Sequence, residues 1–133
     1  MEMNKLLKDI EESCRMVFAQ LGSGHSESVY HRAMEVELRK RKIDYESEVV
    51  IPILYDGHFV GHGRADIIVD KKIIVELKAI NSLGIGERMQ LNLYLNCLNY
   101  NMGILLNFPQ PTKNSISLNK VEMEIMEKWD IEK

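Results

Sequence analysis

Two charged residues interrupt an apolar stretch of the sequence, Glu76 and Lys78, with only Leu77 between them. Residues 73–75 are all apolar and β-branched, so the stretch predicts a buried β-strand. Side chains alternate between the two faces of a strand, which places Glu76 and Lys78 on the same face about 6 to 7 Å apart. One face of a buried strand would therefore carry a carboxylate and an amine.

Asp66 is the residue that would complete this charged group. It lies within a second predicted strand, which runs from His58 to about Val69. If the connection to Ile73 is a three-residue loop, Asp66 falls opposite Glu76, and cross-strand neighbours have Cβ atoms about 5 Å apart. A two-residue turn would place the two carboxylates on opposite faces of the sheet. The length of that connection decides whether a site forms.

Two carboxylates at this distance repel each other unless a cation lies between them. Mg²⁺, or Mn²⁺ in its place, prefers oxygen ligands and keeps several waters, which suits Asp66 and Glu76 as metal ligands. Such a cation lowers the pKa of a water molecule. Lys78 beside it could orient or deprotonate that water and offset the charge that develops on a phosphate. The chemistry predicted is metal-dependent hydrolysis of a phosphodiester bond.

A Glu-x-Lys pair is weakly specific by itself, because an exposed strand face often carries an incidental ion pair. The context makes it more specific: Asp66 lies upstream, and a later predicted helix carries Gln90 and Tyr94 at positions i and i+4 of one face. Glu27 and Tyr30 begin another helix at a similar spacing. Each has a plainer interpretation, since helix N-termini favour carboxylates and an aromatic at helical spacing is more often a core residue.

The elements that must position these residues follow the order helix, helix, three strands, helix, strand. This order predicts an α/β fold with a mixed β-sheet flanked by α-helices. The basic run 39–42 ends the second helix, where either the helix dipole or contact with phosphate would explain it. The predicted elements are a helix ending at Leu21, a helix from Ser26 to Lys42, strands from Glu46, from His58 to Val69 and from Ile73 to Ala79, a helix from Glu87 to Leu98, and a strand from Met102 to Phe108.

Glycines and the C-terminal segment refine this scheme. Asp56-Gly57 predicts a two-residue hairpin turn, while Gly61 and Gly63 indicate a bulge or a close backbone approach within the second strand. Residues 116–121 are expected to form an edge strand, followed by a C-terminal helix ending near Trp129.

The composition is that of an ordinary globular protein, expected to form a single domain over residues 1–133 with 45% hydrophobic and 28% charged residues. The N-terminus lacks the uncharged apolar stretch of a signal peptide, and no segment could span a bilayer. We therefore expect an intracellular protein, cytoplasmic or nuclear, without membrane contact. Cys14 and Cys97 lack metal-ligand spacing and are expected to be reduced core residues. A net charge of −3 argues against coating nucleic acid electrostatically, but not against a nuclease whose bound cations attract phosphate.

Five segments together match a known pattern, at residues 24–30, 64–66, 76–79, 90–94 and 105–108. They resemble the GxxExxY family, a branch of the PD-(D/E)XK nuclease superfamily, over about residues 5–109. The resemblance implies a restriction-endonuclease-like core.

The same resemblance implies roles for individual side chains. Asp66 and Glu76 would be metal ligands, Glu27 would complete the metal site from its helix, and Lys78 would be the catalytic amine. The other polar residues of the matched segments are expected to contact the substrate strand, namely Gln90, Tyr94, Tyr30 and Arg64.

The predicted function is a Mg²⁺- or Mn²⁺-dependent nuclease acting on DNA, in repair or recombination. Two alternatives stay open: a noncatalytic nucleic-acid-binding or interaction module that retains the fold, and an enzyme directed at RNA or at DNA junctions. The intact set of Asp66, Glu76 and Lys78 favours an enzyme. A domain this small would need a second subunit to cut both strands, which is compatible with a homo-oligomer.

Overall fold

A computed structural model of the chain describes residues 1–111 and 120–130. Within these residues the helices and strands as far as residue 107 follow the order expected from the sequence, and a strand stands where a C-terminal helix was expected. The elements are α1 (Met3–Leu21), α2 (Glu27–Lys40), β1 (Tyr45–Tyr55), β2 (His58–Val69), β3 (Ile73–Lys78), α3 (Ile85–Leu98), β4 (Met102–Asn107) and β5 (Glu122–Glu127).

The strands form one mixed sheet in the order β1-β2-β3-β4-β5. The pairs β1/β2, β2/β3 and β4/β5 are antiparallel, whereas β3 and β4 are parallel. A parallel pair needs a crossover connection, and α3 supplies it between β3 and β4. The predicted mixed sheet flanked by helices is confirmed.

The sheet separates two hydrophobic clusters. Leu6 of α1 and Leu38 of α2 share one cluster with Val75 of β3. Leu91 of α3 belongs to the other, together with Ile74 of β3. Because adjacent strand residues point to opposite faces, Ile74 and Val75 each fill one of the two clusters. The fold is therefore three layers, with α1 and α2 on one face of the sheet and α3 on the other.

The β1–β2 hairpin turns at Asp56-Gly57 as predicted, and both residues have the positive φ values, 55° and 79°, that a type I′ turn needs. The register between the strands shifts after Ile53, which pairs with Gly61 and leaves Val60 without a partner. The bulge expected beside Gly61 is thus confirmed.

The C-terminal prediction is wrong in one respect, because Glu122–Glu127 is a strand and not part of a helix. Its side chains alternate, so Met123 packs against the α1/α2 cluster and Met126 is buried in the α3 cluster. Pairing along β4 overrides the helix propensity of Glu and Met. The edge strand predicted for residues 116–121 lies largely outside the described residues.

The two cysteines differ. Cys14 is buried as expected, and burial raises the pKa of its thiol to about 12. Cys97 is exposed on α3, so the expectation of a core position is wrong for this residue. Helical spacing alone does not identify which face of α3 meets the sheet. No helix in the described ranges is long and apolar enough to cross a membrane.

Candidate active site

The connection between β2 and β3 has the length that the site requires. Val69 pairs with Ile73, leaving three residues between them, and the same register places Asp66 opposite Glu76. At this position hydrogen bonds between carboxylate side chains and backbone N–H groups replace the backbone pairing of the two strands. The carboxylate of Asp66 accepts a hydrogen bond from the backbone N–H of Leu77 at 2.8 Å, and Glu76 Oε1 accepts one from the backbone N–H of Asp66 at 3.4 Å. The two acidic side chains therefore meet as predicted from the register.

The two carboxyl groups are shielded from solvent, with Asp66 8% and Glu76 3% exposed. Burial raises the pKa of Glu76 to about 9, helped by the charge of Asp66 and a hydrogen bond to it, while the charge of Lys78 lowers it. Two buried carboxylates this close are costly unless positive charge lies between them. A divalent cation would supply that charge, so the donor set fits one.

The described residues, 1–111 and 120–130, contain no group of three or more His, Cys, Asp or Glu side chains arranged to hold a metal ion. Glu27 is therefore not brought to Asp66 and Glu76 as a third ligand. Mg²⁺ in proteins is commonly held by one or two carboxylates together with waters and substrate phosphates. The pair formed by Asp66 and Glu76 suits that cation, and lacks the soft donors of a zinc site.

Lys78 ends β3 on the same face as Glu76, and its Nζ donates a hydrogen bond to Gln90 Oε1 of α3 at 3.4 Å. The chain beyond Lys78 is fixed by Asn107, which is fully buried at the end of β4. Asn107 donates from Nδ2 to the carbonyl of Ile80 at 3.0 Å and accepts from the N–H of Ile80 at 2.9 Å. Asn107 is not among the site residues predicted from the sequence. The sequence contains one signal of its positioning role, which is that a polar residue closes an apolar strand.

Glu27 is the first residue of α2 and lies within electrostatic reach of Asp66. Partial loss of solvent raises the pKa of its carboxyl, and the charge of Asp66 raises it further. The charges of Lys78, His31 and Arg64 act in the opposite direction. The helix thus presents a carboxylate to the same region as β2 and β3.

Tyr30 lies in the core and not at the surface. Its ring is fully buried and stacks on Phe108, with centroids 4.3 Å apart. Its hydroxyl donates to the carbonyl of Gly22 at 2.6 Å and accepts from the N–H of His25 at 3.3 Å. With its ring and hydroxyl engaged, Tyr30 has no surface for a substrate. It instead anchors the turn of helix that begins with Glu27.

The four expected substrate contacts divide into two buried and two exposed residues. Tyr94 is only 8% exposed and its ring lies against Gly63, so the close backbone approach predicted at that glycine is confirmed. A ring packed in this way cannot stack on a base. Gln90 is exposed beside Lys78, and the side chain of Arg64 is 59% exposed. Only these two stay accessible to a substrate.

A local reversal of β1 lies opposite Asp66. Glu48 has a φ of 55°, in the left-handed region that non-glycine residues seldom adopt. Ser47 bonds to Glu35 of α2 on one face of the sheet, yet Val49 packs in the cluster against α3 on the other. Residues two apart normally share a face. The sequence does not predict this reversal, because glutamate is not a residue type that favours the left-handed conformation.

Two acidic residues hold arginines near the site. Glu48 pairs with Arg32 and with Arg64, each at 3.6 Å, and Glu35 pairs with Arg32 at 2.9 Å. Burial raises the pKa of Glu35, but hydrogen bonds from Arg32, Ser47 and Tyr45 outweigh burial and leave the pKa below its usual range. Glu35 therefore stays charged and fixes α2 against β1.

Comparison with known proteins adds a family and a fold. The sequence model of one protein family, the PD-(D/E)XK nuclease superfamily, matches residues 4–119 of this chain. No curated protein matches the chain. A solved structure described as "Crystal structure of SSO0001" is similar with a TM-score of 0.58 and 24% identity, over 77% of this chain. The chain spans 50% of the length of that structure. This likeness concerns the fold and confirms the restriction-endonuclease-like arrangement of sheet and helices.

Proposed function

This chain belongs to the PD-(D/E)XK nuclease superfamily, and from that premise we propose that it is a metal-dependent deoxyribonuclease. The observation that carries the proposal is the buried pair Asp66 and Glu76, with Lys78 on the same strand face. Three charged groups in this geometry would be a stability cost without a function. We further propose the GxxExxY branch, since Gly24, Glu27 and Tyr30 match its pattern.

Asp66 and Glu76 would hold the cation, Mg²⁺ or Mn²⁺, through carboxylate oxygens. When bound, the cation lowers the pKa of water and neutralises phosphate charge. The hydrogen bond from the N–H of Leu77 orients the Asp66 carboxylate, so its oxygens are directed before a cation arrives. A fixed ligand costs less ordering on binding than a mobile one.

Lys78 would act on the reacting atoms without being a ligand. Its ammonium offsets negative charge on the phosphate in the transition state, or in its neutral form accepts a proton from the attacking water. The contact with Gln90 keeps Nζ directed toward α3. Gln90 and Arg64 are the proposed contacts to the substrate strand, because both are accessible and both can donate hydrogen bonds to phosphate oxygens. Glu27 would assist at the same site from α2.

Incubation of the purified protein with linear, circular, single-stranded and branched DNA, with Mg²⁺ or with chelator, tests this proposal. We expect Mg²⁺-dependent cleavage of at least one substrate. Glu76→Gln should abolish cleavage. Glu127→Gln is the matched control, because it replaces an exposed carboxylate on β5 by the same amide, and it should leave cleavage unchanged. No cleavage of any substrate, or equal activity in the two variants, would refute the proposal. Cleavage of RNA in place of DNA would correct the substrate.

A further inference from the structure

The hairpin of β1 and β2 extends well beyond the rest of the sheet. β2 has 12 residues, but only Ile67–Val69 pair with β3. Residues 49–65 therefore form a two-stranded projection, here called the outer ribbon. α3 covers one of its faces, where Ile51 and Ala65 are fully buried with Leu91. A ribbon with one face packed is stable enough to present the other.

The opposite face of the outer ribbon is uncovered. Residues next to Ile51 in sequence point away from α3, and their cross-strand partners share that face. Three of its apolar side chains are more than half exposed, Val50 at 59%, Leu54 at 61% and Phe59 at 64%. Single exposed apolar residues are ordinary, but several on one ribbon mark a binding surface. The cross-strand pairs on this face are Val50/Arg64, Pro52/His62 and Leu54/Phe59.

This uncovered face is continuous with the candidate active site. The charge of Arg64 acts on the Glu27 carboxyl, and so do the charges of Asp66 and Lys78 in the site. Along the strand, Phe59 lies about 20 Å from Asp66 at the usual rise per residue. A strand of nucleic acid that reaches Asp66 can therefore follow the ribbon for roughly six stacked nucleotides at 3.4 Å each.

The chemistry of the face distinguishes its occupant. The occupant must match polar and apolar groups side by side, because Arg64 and His62 of β2 lie across from Val50 and Pro52 of β1. Single-stranded nucleic acid offers both partners, phosphates for cations and unpaired base faces for aromatic and apolar groups. A base-paired duplex hides its base faces and would leave Leu54 and Phe59 without a partner.

We propose that the uncovered face of the outer ribbon binds single-stranded DNA leading to the active site, with Phe59 and Leu54 against bases and Arg64 and His62 against phosphates. The choice of DNA rests on the proposed nuclease function. The face would make an unpaired strand the preferred substrate.

Binding can be measured apart from cleavage. Fluorescence anisotropy of a labelled 20-nucleotide single strand and of a 20-base-pair duplex, in Ca²⁺ instead of Mg²⁺, gives both affinities. We expect Phe59→Ala to weaken single-strand binding about 10-fold, since stacking contributes about that much per base, and to leave duplex binding unchanged. Two control variants should stay within twofold: Tyr55→Ala, on the opposite face of the ribbon and 72% exposed, and Ile125→Ala, on β5 and 48% exposed.

Each contrary outcome has a distinct meaning. Wild-type protein that binds single strands no tighter than duplex, or Phe59→Ala with unchanged affinity, overturns the proposal. Equal losses in Tyr55→Ala overturn the assignment to one face. If sedimentation shows a wild-type dimer that Phe59→Ala dissociates without affecting DNA, the ribbon is a protein interface and the proposal fails. Absence of Mg²⁺-dependent cleavage together with the expected binding pattern would refute the nuclease function and leave the ribbon proposal standing.

Discussion

The contact between Gly63 and Tyr94 gives the sharpest prediction for the packing around the site. A Cβ placed on Gly63 would lie 2.6 Å from Tyr94 Cε1, 2.8 Å from its hydroxyl oxygen and 2.9 Å from Cζ. Carbon atoms at rest prefer about 3.5 to 4.0 Å, so Gly63→Ala forces the tyrosine ring to move. The ring is 8% exposed and packed in the α3 cluster, which leaves it little room to do so.

The size of the effect follows from two opposing terms. Overpacking a core costs about 1 to 3 kcal/mol, whereas replacing glycine by alanine restricts the unfolded chain and returns about 0.4 to 1 kcal/mol. The backbone φ of Gly63 is not positive, so no conformational strain is added. We expect a net loss of about 1 to 2 kcal/mol in the free energy of unfolding. For a chain of this length that lowers Tm by about 4 to 7 °C.

Gly61 provides the matched control, because it lies on the same strand and a Cβ there would meet nothing within 4 Å. Gly61→Ala should therefore be neutral or more stable by up to about 1 kcal/mol. Urea unfolding of both variants, repeated in a Tyr94→Ala background, measures the coupling. Gly63→Ala should lose its cost when the ring is absent. Equal stability of Gly63→Ala and Gly61→Ala, or an undiminished cost without the ring, would refute the packing argument.

Three further predictions follow from the charged and thiol groups. Calorimetric titration should show that the wild-type protein binds Mn²⁺ and that an Asp66→Ala, Glu76→Ala double variant does not. Undiminished binding by the double variant would exclude this pair as ligands. At neutral pH a maleimide should label Cys97 and not Cys14 in the folded protein, because burial keeps the Cys14 thiol protonated; rapid labelling of both would contradict the packing of α1. The lowered pKa of Glu35 contributes stability that is complete above the ordinary pKa of a glutamate carboxyl and is lost as pH falls through the lowered pKa. Unfolding curves should therefore show a smaller acid-induced loss in Glu35→Gln than in wild type, and equal losses would contradict the inferred pKa.

The central strands were predictable from the sequence, since they depend on local patterns, whereas the register between β2 and β3 was one of two alternatives until the structure showed it. Asp56-Gly57 fixes the hairpin, and the three-residue connection to Ile73 brings Asp66 opposite Glu76. The apolar stretch before Glu76 marks a buried strand whether or not its neighbours are known. The prediction of the carboxyl pair required no tertiary information beyond this register.

Other features depend on long-range packing and left no local signal. Tyr30 at helical spacing could face a substrate or the core, and only the stacking on Phe108 decides for the core. The C-terminal strand depends on a pairing edge offered by β4, which residues 122–127 alone do not reveal. The left-handed conformation of Glu48 is imposed by the sheet around it.

Lys78→Met tests the proposed mechanism most directly, through single-turnover cleavage of DNA at saturating Mg²⁺. The change keeps the apolar stem and removes the charge that would act on the reacting phosphate. We predict a loss of about 10² to 10⁴ in rate with an unchanged Tm, because Lys78 would serve the transition state and not the fold. Lys8→Met on α1, an exposed lysine, should cleave at the wild-type rate. A Lys78→Met variant as fast as wild type, or wild-type cleavage that persists in chelator, would contradict the account.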